Sequence, residues 1–404
     1  MTRCRRAVTA MSMDKKDLAE KPLPYVVGTY YEPSLQTWLE RRHEPYDFKF
    51  CEEGDWEKIR AFLQTYWDPG HVYVTFPELL RWQQYDEVRR SYNFVYAEHR
   101  ETGEVFSCLA YIFTSHFDPD IAIKDLWLGL WRSKPGAPPG LGGELGRFLG
   151  HTVRPRSIGC LGLSKNTLAM IPRMGFTVAR MQHHYLVNPE LDEFRLVGRP
   201  DLAPRSTDGP ATDAPILQEL APEQVRDHVI EGFEPETLVP AKTTTYLYNR
   251  FVRHPLLKYR FFAVKRGDRT LGIMVTRTVS ALDAKAMQIV DYLGHDEGWV
   301  GLDRALLTLI RDSGAEFIDL YSYGIGDGEL AASRMISHDA SDAVIIPIYF
   351  DPFEKRNKDL DCGFMVLPGT RYRVFKGDSD QDRPNRPVSA TLSKPEAVGA
   401  ANDG

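Results

Sequence analysis

From Asn93 to Val187, and again from Arg260 to Tyr321, the chain passes through one series of patterns in the same order. A hairpin comes first, then a strongly apolar strand, a turn, an amphipathic helix and a further strand. In the first series, Asn93 to His99 and Glu104 to Phe113 read as strands joined by a turn at Glu101-Thr102-Gly103. Asp125-Leu126-Trp127-Leu128-Gly129-Leu130-Trp131 reads as a buried strand, and Leu141, Leu145, Phe148 and Leu149 fall at helix spacing. A strand at Ile158 to Leu163, a helix from Ser164 and a strand through Thr177 to Val187 follow. In the second series the hairpin strands are Arg260 to Val264 and Thr270 to Val279, turning at Arg266-Gly267-Asp268. Met287 to Leu293 is the apolar strand, Gly301 to Asp312 the helix, and Ala315 to Tyr321 the next strand. A helix at Asp55 to Tyr66, with Trp56, Ile59, Phe62 and Leu63 on one face, precedes the first series.

Strands interleaved with helices predict an α/β protein built on mixed sheets. The recurrence lies in order and spacing rather than residue identity. It predicts two tandem domains, with one large α/β domain as the alternative. The expected divisions are an extension over 1–45, a first domain over 46–188, and a linker rich in Pro, Asp, Gly and Thr over 189–214. A second domain over 215–375 and a flexible tail over 376–404 complete the set.

With 404 residues, 43% apolar and 26% charged, the chain is long enough for two substantial cores and ordinary for a globular protein. A net charge of −6 gives no global attraction to nucleic acid or anionic membrane. The basic start (Arg3, Arg5, Arg6) lacks a following apolar stretch, so neither a signal peptide nor a membrane span is expected. Five scattered cysteines without a C-x-x-C pair suggest reduced thiols in a cytoplasmic protein and offer no zinc site.

Pro139-Gly140-Leu141-Gly142-Gly143 stands between the Trp127 strand and its helix. Such a turn leaves backbone N–H groups uncovered at the positive end of a helix, a site suited to phosphate or pyrophosphate. A Rossmann dinucleotide loop is excluded, because Leu145 interrupts G-x-G-x-x-G and His151 to Gly175 contains no acidic residue.

Hairpin, strand, glycine turn, helix, strand, helix and a closing Gly-Phe resemble the order of the GNAT acyltransferase superfamily. Gly140-Leu141-Gly142 resembles the end of that family's pyrophosphate loop. Ser164-Lys165-Asn166-Thr167-Leu168-Ala169, closing at Met174-Gly175-Phe176, resembles its next segment. Across both halves the chain looks like a tandem GNAT protein. The resemblance implies acetyl-CoA or another acyl-CoA as co-substrate, with no metal. It places the coenzyme on Trp131, Arg132, Gly140, Leu141, Gly142, Gly143 and Asn166, and the thioester carbonyl on backbone N–H groups near Leu130 to Arg132. Departures are Ala137 where the loop usually has Gln or Arg, Ile171 where a tyrosine often protonates the leaving thiolate, and Pro172, which shortens that helix. In the second half the equivalent turn is Gly294-His295-Asp296-Glu297-Gly298, whose two carboxylates would repel a pyrophosphate.

Acyl transfer to an amine needs a base. The candidates are His116, Asp125 and His184, with Asp118 and His183 beside them. Lys242, Tyr246, Arg250 and His254 recur at helical spacing and could grip an anionic acceptor; a solvated helix face is the alternative. Arg277 and Asp291, charged residues in apolar strands, are expected to pair with one another or to bind substrate. Asp378-x-Asp380-x-Asp382 is not a calcium loop, since Arg383 and Ser389 stand where Gly and Glu are needed. Ile346 to Glu354 and Lys376 to Asn385 resemble segments of bacterial proteins of surface-glycan and polysaccharide biosynthesis, which implies an amino sugar or nucleotide-amino sugar as acceptor. The rivals are an aminoacyl-tRNA-dependent transferase of the peptidoglycan-bridge type and a non-catalytic tandem GNAT binding protein. Nothing in the sequence sets an oligomeric state.

Overall fold

The computed structural model describes residues 44–204, 213–350 and 352–384. Two mixed sheets, each flanked by helices, form two α/β units. Sheet 1 begins with β1 (Tyr46–Glu52), the hairpin β2 (Ser91–His99) and β3 (Val105–Phe113), and then β4 (Asp125–Ser133) and β5 (Ser157–Leu161). Helix α1 (Trp56–Tyr66) and two short helices the patterns did not reveal, α2 (Val72–Thr75) and α3 (Pro77–Gln84), cover one face through Ile59, Leu63, Tyr73 and Leu80. Helix α4 (Leu141–Val153) covers the other, burying Leu141, Leu145 and Leu149 against Leu109 and Leu126. It starts where expected because Gly140 takes the left-handed conformation (φ 88°) that a residue with a Cβ avoids. Ser164 caps the short α5 (Lys165–Met170) by accepting from Thr167 N, and Pro172 turns its continuation into a 3-10 turn.

The segment expected as one strand from Thr177 to Val187 is two. It breaks at Met181. β6 (Thr177–Arg180) stays in sheet 1, whereas β7 (Gln182–Val187) enters sheet 2. Sheet 2 otherwise comprises β8 (Ile216–Leu220), β9 (Arg260–Arg266), β10 (Arg269–Ala281), β11 (Ala284–Gly294), β12 (Phe317–Tyr323) and β13 (Ile336–His338). Its main helix is α6 (Asp303–Ser313), which packs Leu306, Leu307 and Ile310 on Met287 and Ile318. The exchange is returned: β14 (Asp361–Val366), late in the chain, inserts into sheet 1 between β5 and β6. The orders are β1-β2-β3-β4-β5-β14-β6 and β13-β7-β12-β11-β10-β9-β8. Apolar alternation predicts a strand but not its sheet, so the swap was invisible in the patterns.

Residues 376–384, expected in a flexible tail, are instead packed. Asp378 is fully buried and Lys376, Ser379 and Asp382 nearly so. Residues beyond 384 lie outside the described residues. A short strand β15 (Val374–Phe375) pairs with β12 just before this segment. Among the described residues no helix is long and apolar enough to cross a membrane.

Candidate active site

The two sheets open in the same way. In sheet 1, β4 and β5 run parallel from Asp125↔Ser157 to Leu128↔Cys160 and then part. Beyond the last pair, Gly129 and Leu130 form a bulge against β3, whose register steps from Tyr111↔Leu128 to Leu109↔Trp131. In sheet 2, β11 and β12 pair from Met287↔Ile318 to Ile289↔Leu320, and the bulge falls on Val290.

What lies in the two openings differs. In sheet 2 the gap is filled by the chain itself. Ser322 and Tyr323 pair with Phe375 and Val374, Lys376 N donates to Tyr321 O (3.2 Å), and Gly377 N donates to the bulge carbonyl of Val290 (2.7 Å). The following turn is closed too. Asp296 accepts from Arg373 (2.7 Å) and Arg371, and Glu297 pairs with Arg269 (2.6 Å). The carboxylates expected to repel a pyrophosphate thus hold arginines of the chain, Asp296 those of the C-terminal segment and Glu297 the one that opens β10.

In sheet 1, among the described residues, the C-terminal segment reaches the opening with side chains and not with a strand, at its narrow end. Ser379 Oγ donates to Leu128 O (3.2 Å), and Gln381 Nε2 to Leu161 O (3.3 Å). Among the described residues, no strand lies between 129–133 and 162–164. The base of this gap is the start of α4, whose first turn has no capping side chain. Gly142 is required here for close approach: a Cβ would stand 2.8 Å from Ser133 Oγ and 3.3 Å from Trp131 Nε1. Trp131 Nε1 donates to Gly142 O (3.0 Å), fixing the helix start against β4. Gly140, Leu141, Gly142, Gly143 and Trp131 therefore meet as the sequence suggested. Asn166 lies exposed on α5, across the gap. Arg132 is committed elsewhere, donating through Nε to Tyr66 O (2.6 Å).

The residues proposed as bases are not at this gap. Asp125 begins β4 at the far end and is structural: it accepts from Arg156, from Ser157 Oγ (2.8 Å) and from Ala241 N (2.7 Å). A carboxylate so saturated has no acceptor capacity left for a substrate proton. His116 follows β3 with Nε2 on Trp82 O (2.9 Å), and burial lowers its pKa. Asp118 is bound by Thr243 Oγ1 and Asp120 N. His183 and His184 lie in sheet 2, His183 stacked on Tyr321 and His184 held by burial at a pKa of about 4.

The polar set of the second half turns inward as well. Its expected helix is a four-residue turn, Thr244–Leu247, running into a π-helical turn, Tyr248–Val252. Lys242 Nζ donates to Asp291 Oδ1 (2.8 Å) and Asp378 Oδ2 (2.8 Å), all three buried. Arg250 donates to Gly377 O (3.2 Å) and Ser379 O (2.5 Å) and lies over the rings of Phe117 and Trp82. Arg277 pairs with Asp382 (2.7 Å), which also accepts from Tyr259 Oη (2.8 Å). Arg277 and Asp291 thus each have a partner, but not one another. Tyr246 is enclosed against Phe117, and burial raises its pKa. His254 accepts at Nδ1 from Leu256 N and Leu257 N, and burial with Arg250 nearby lowers its pKa to about 3. These cations hold carboxylates and carbonyls of the chain's own C-terminal segment, where an acceptor anion was expected. Sequence spacing showed the cations; their partners in that segment, more than a hundred residues away, carried no local signal.

No protein-family model matches the sequence, and no curated protein does. Among solved structures, the chain is similar to a GCN5-related N-acetyltransferase from Anabaena variabilis (7% identity, 79% of this chain and 72% of that one, TM-score 0.44). A second, from Kribbella flavida, has 10% identity over 80% and 71%, TM-score 0.43. N-myristoyltransferase of Saccharomyces cerevisiae with bound myristoyl-CoA has 10% identity over 89% and 86%, TM-score 0.41.

Proposed function

We propose that the chain is an acyl-CoA-dependent N-acyltransferase whose coenzyme occupies the gap in sheet 1. The carrying observation is the unfilled parting of β4 and β5 directly above an uncapped helix start at Gly140. An extended pantetheine arm could add to the free edge of β4 as a strand would, its carbonyl receiving a backbone N–H past the bulge near Leu130. The pyrophosphate would lie on the first-turn amides of α4. Ile171 is fully buried in the core and serves no acid step. A thiol of pKa about 8.5 leaves readily as thiolate near neutral pH, so a dedicated acid is not essential. Acetyl-CoA is the proposed donor and a small amine the acceptor. The two segments resembling surface-glycan proteins meet, Lys376 Nζ donating to Ile348 O (2.9 Å), and amino sugars therefore head the acceptors to screen.

Calorimetry with acetyl-CoA, free CoA and myristoyl-CoA tests the proposal. One coenzyme per chain is expected, with affinity retained within about tenfold in Gly142→Ala and reduced at least about a hundredfold in Gly142→Glu, which adds a charge where phosphate should lie. The alanine variant controls for the Ser133 contact. A folded wild type that binds none of the three overturns the proposal.

A further inference from the structure

Three aspartates alternate in the C-terminal segment, and the structure gives them different surroundings. Asp378 is held by Lys242 and Phe375 N (2.9 Å). Asp382 is held by Arg277 and Tyr259. Both therefore face charged or polar groups of the second half that consume their lone pairs. Asp380 points the other way, into sheet 1. A methyl built on Gly129 would stand 3.3 Å from its Oδ2, so the carboxylate lies directly against the bulge at the mouth of the gap. Oδ2 accepts from Arg383 Nη2 (3.0 Å) and Nε (3.2 Å), while Oδ1 has only the long 3.5 Å contact from Ser379 Oγ among the described residues. Arg383 lies over the Tyr73 ring (4.9 Å), so α2 buttresses the pair from the far side. The turn holding Asp380 is locked on both flanks: Ser379, at φ 56°, donates to Leu128 O, and Gln381 donates to Leu161 O. Leu128 belongs to the last β4–β5 pair before the parting, and Leu161 follows its partner Cys160. No residue at the gap proposed from sequence supplies a base, and Asp380 lies against the residue where the thioester carbonyl would sit.

Given acyl transfer at this gap, on which the assignment rests, we infer that Asp380 is the general base of the reaction. Its Oδ1 removes one proton from the acceptor ammonium, giving a neutral amine. The amine lone pair forms the C–N bond at the thioester carbonyl, and the C–S bond then breaks with its electron pair leaving on sulfur. The thiolate takes the second nitrogen proton, yielding amide and free thiol, and Asp380 releases its proton to water. Glycine at 129 keeps the carboxylate within reach of the bulge, and Arg383 is a positioning residue that leaves Oδ1 for the substrate.

The test compares Asp380→Asn with wild type and with Asp382→Asn, using acetyl-CoA and, in parallel, myristoyl-CoA. The acceptors are glucosamine, an ammonium near neutral pH, and hydroxylamine, already neutral there. The expected result is unchanged coenzyme affinity in Asp380→Asn, a loss of about a hundredfold or more in kcat with glucosamine, and less than about tenfold with hydroxylamine. The glucosamine rate should then rise with pH up to the amine's own pKa, a change that Asp382→Asn should not produce. A wild type that binds neither coenzyme sinks the acyltransferase proposal itself. If wild type binds coenzyme, the base assignment is overturned by an unaffected Asp380→Asn, by equal losses with both amines, or by absent transfer in wild type.

Discussion

Past Leu128 the strands of sheet 1 part around a gap that the side chains of Ser379, Asp380 and Gln381 reach from the C-terminal segment; past Ile289 those of sheet 2 part around Val374 to Gly377. Both openings have a bulge at the same place, so one backbone geometry was built twice. The difference is in what satisfies the exposed edge. Sheet 2 bonds its bulge carbonyl to Gly377 and neutralises its turn carboxylate with Arg371 and Arg373, so the chain itself takes the place a ligand would need. Sheet 1 keeps a bare edge and an uncapped helix start, and unmet backbone groups must find a partner. A binding site and a structural joint can thus share one architecture and differ only in whether the chain supplies the missing strand.

The sharpest way to break this comparison is Lys242→Met. Asp291 and Asp378 would remain buried without their cation, at a cost of about 3–5 kcal/mol. Arg132→Met, at the edge of the open gap, removes an exposed side chain and should cost about 1 kcal/mol or less. Urea unfolding measures both, and a Lys242→Met protein of wild-type stability would show that the filled opening is not held as described.

Glycines give a second contrast. Gly324 has φ 88°, and a Cβ there would stand 1.9 Å from Tyr372 O, a backbone atom that cannot move aside. Gly136, at φ 82°, faces open space. Gly324→Ala should lose about 3 kcal/mol or more, Gly136→Ala about 1–2 kcal/mol from left-handed strain alone. Equal losses in thermal unfolding would remove the distinction between a filled and an open gap.

The most distributed effect is in acid. Burial holds His71 and His254 at about pKa 3 and His184 at about 4, below an ordinary value of 6.5. The unfolded chain therefore binds more protons than the folded one below pH 6.5, and stability falls as pH drops through that window. The slope is up to roughly 1.4 kcal/mol per pH unit for each histidine. His71→Asn should reduce the slope by about one proton. His71 belongs to the first unit and His184 to sheet 2, yet tryptophan fluorescence and circular dichroism should report one acid transition. Two separate transitions would mean that the units unfold independently.

Much of the framework was legible. Turns at Glu101-Thr102-Gly103 and Arg266-Gly267-Asp268 set both hairpins, and the spacing of Leu141, Leu145 and Leu149 set α4, because these signals are local. The glycine turn was readable for the same reason. Partnership was not. Lys242 and Arg250 looked like a cationic face since nothing nearby in sequence says that Asp378 and Gly377 will cover them. The segment from Lys376 was expected to be a flexible tail, whereas Asp378 and Asp382 are matched by Lys242 and Arg277 from other elements and Asp380 by Arg383. Asp380 was read as part of an unsuitable calcium loop and of a segment resembling surface-glycan proteins, and not as a base, because its relation to Gly129 exists only in the folded chain.

The strand exchange has a consequence for how the molecule comes into being. While the ribosome is still making residues 188 to 360, sheet 1 lacks β14, and β6 has no neighbour to join it to β5. Its edge at β5 is then an unpaired row of amides and carbonyls on a nascent chain, the kind of surface that recruits chaperones or other strands. The first unit, although its synthesis begins first, gains its last strand only late in the chain, and a ribosome that stalls in the second half releases a protein in which neither sheet is whole.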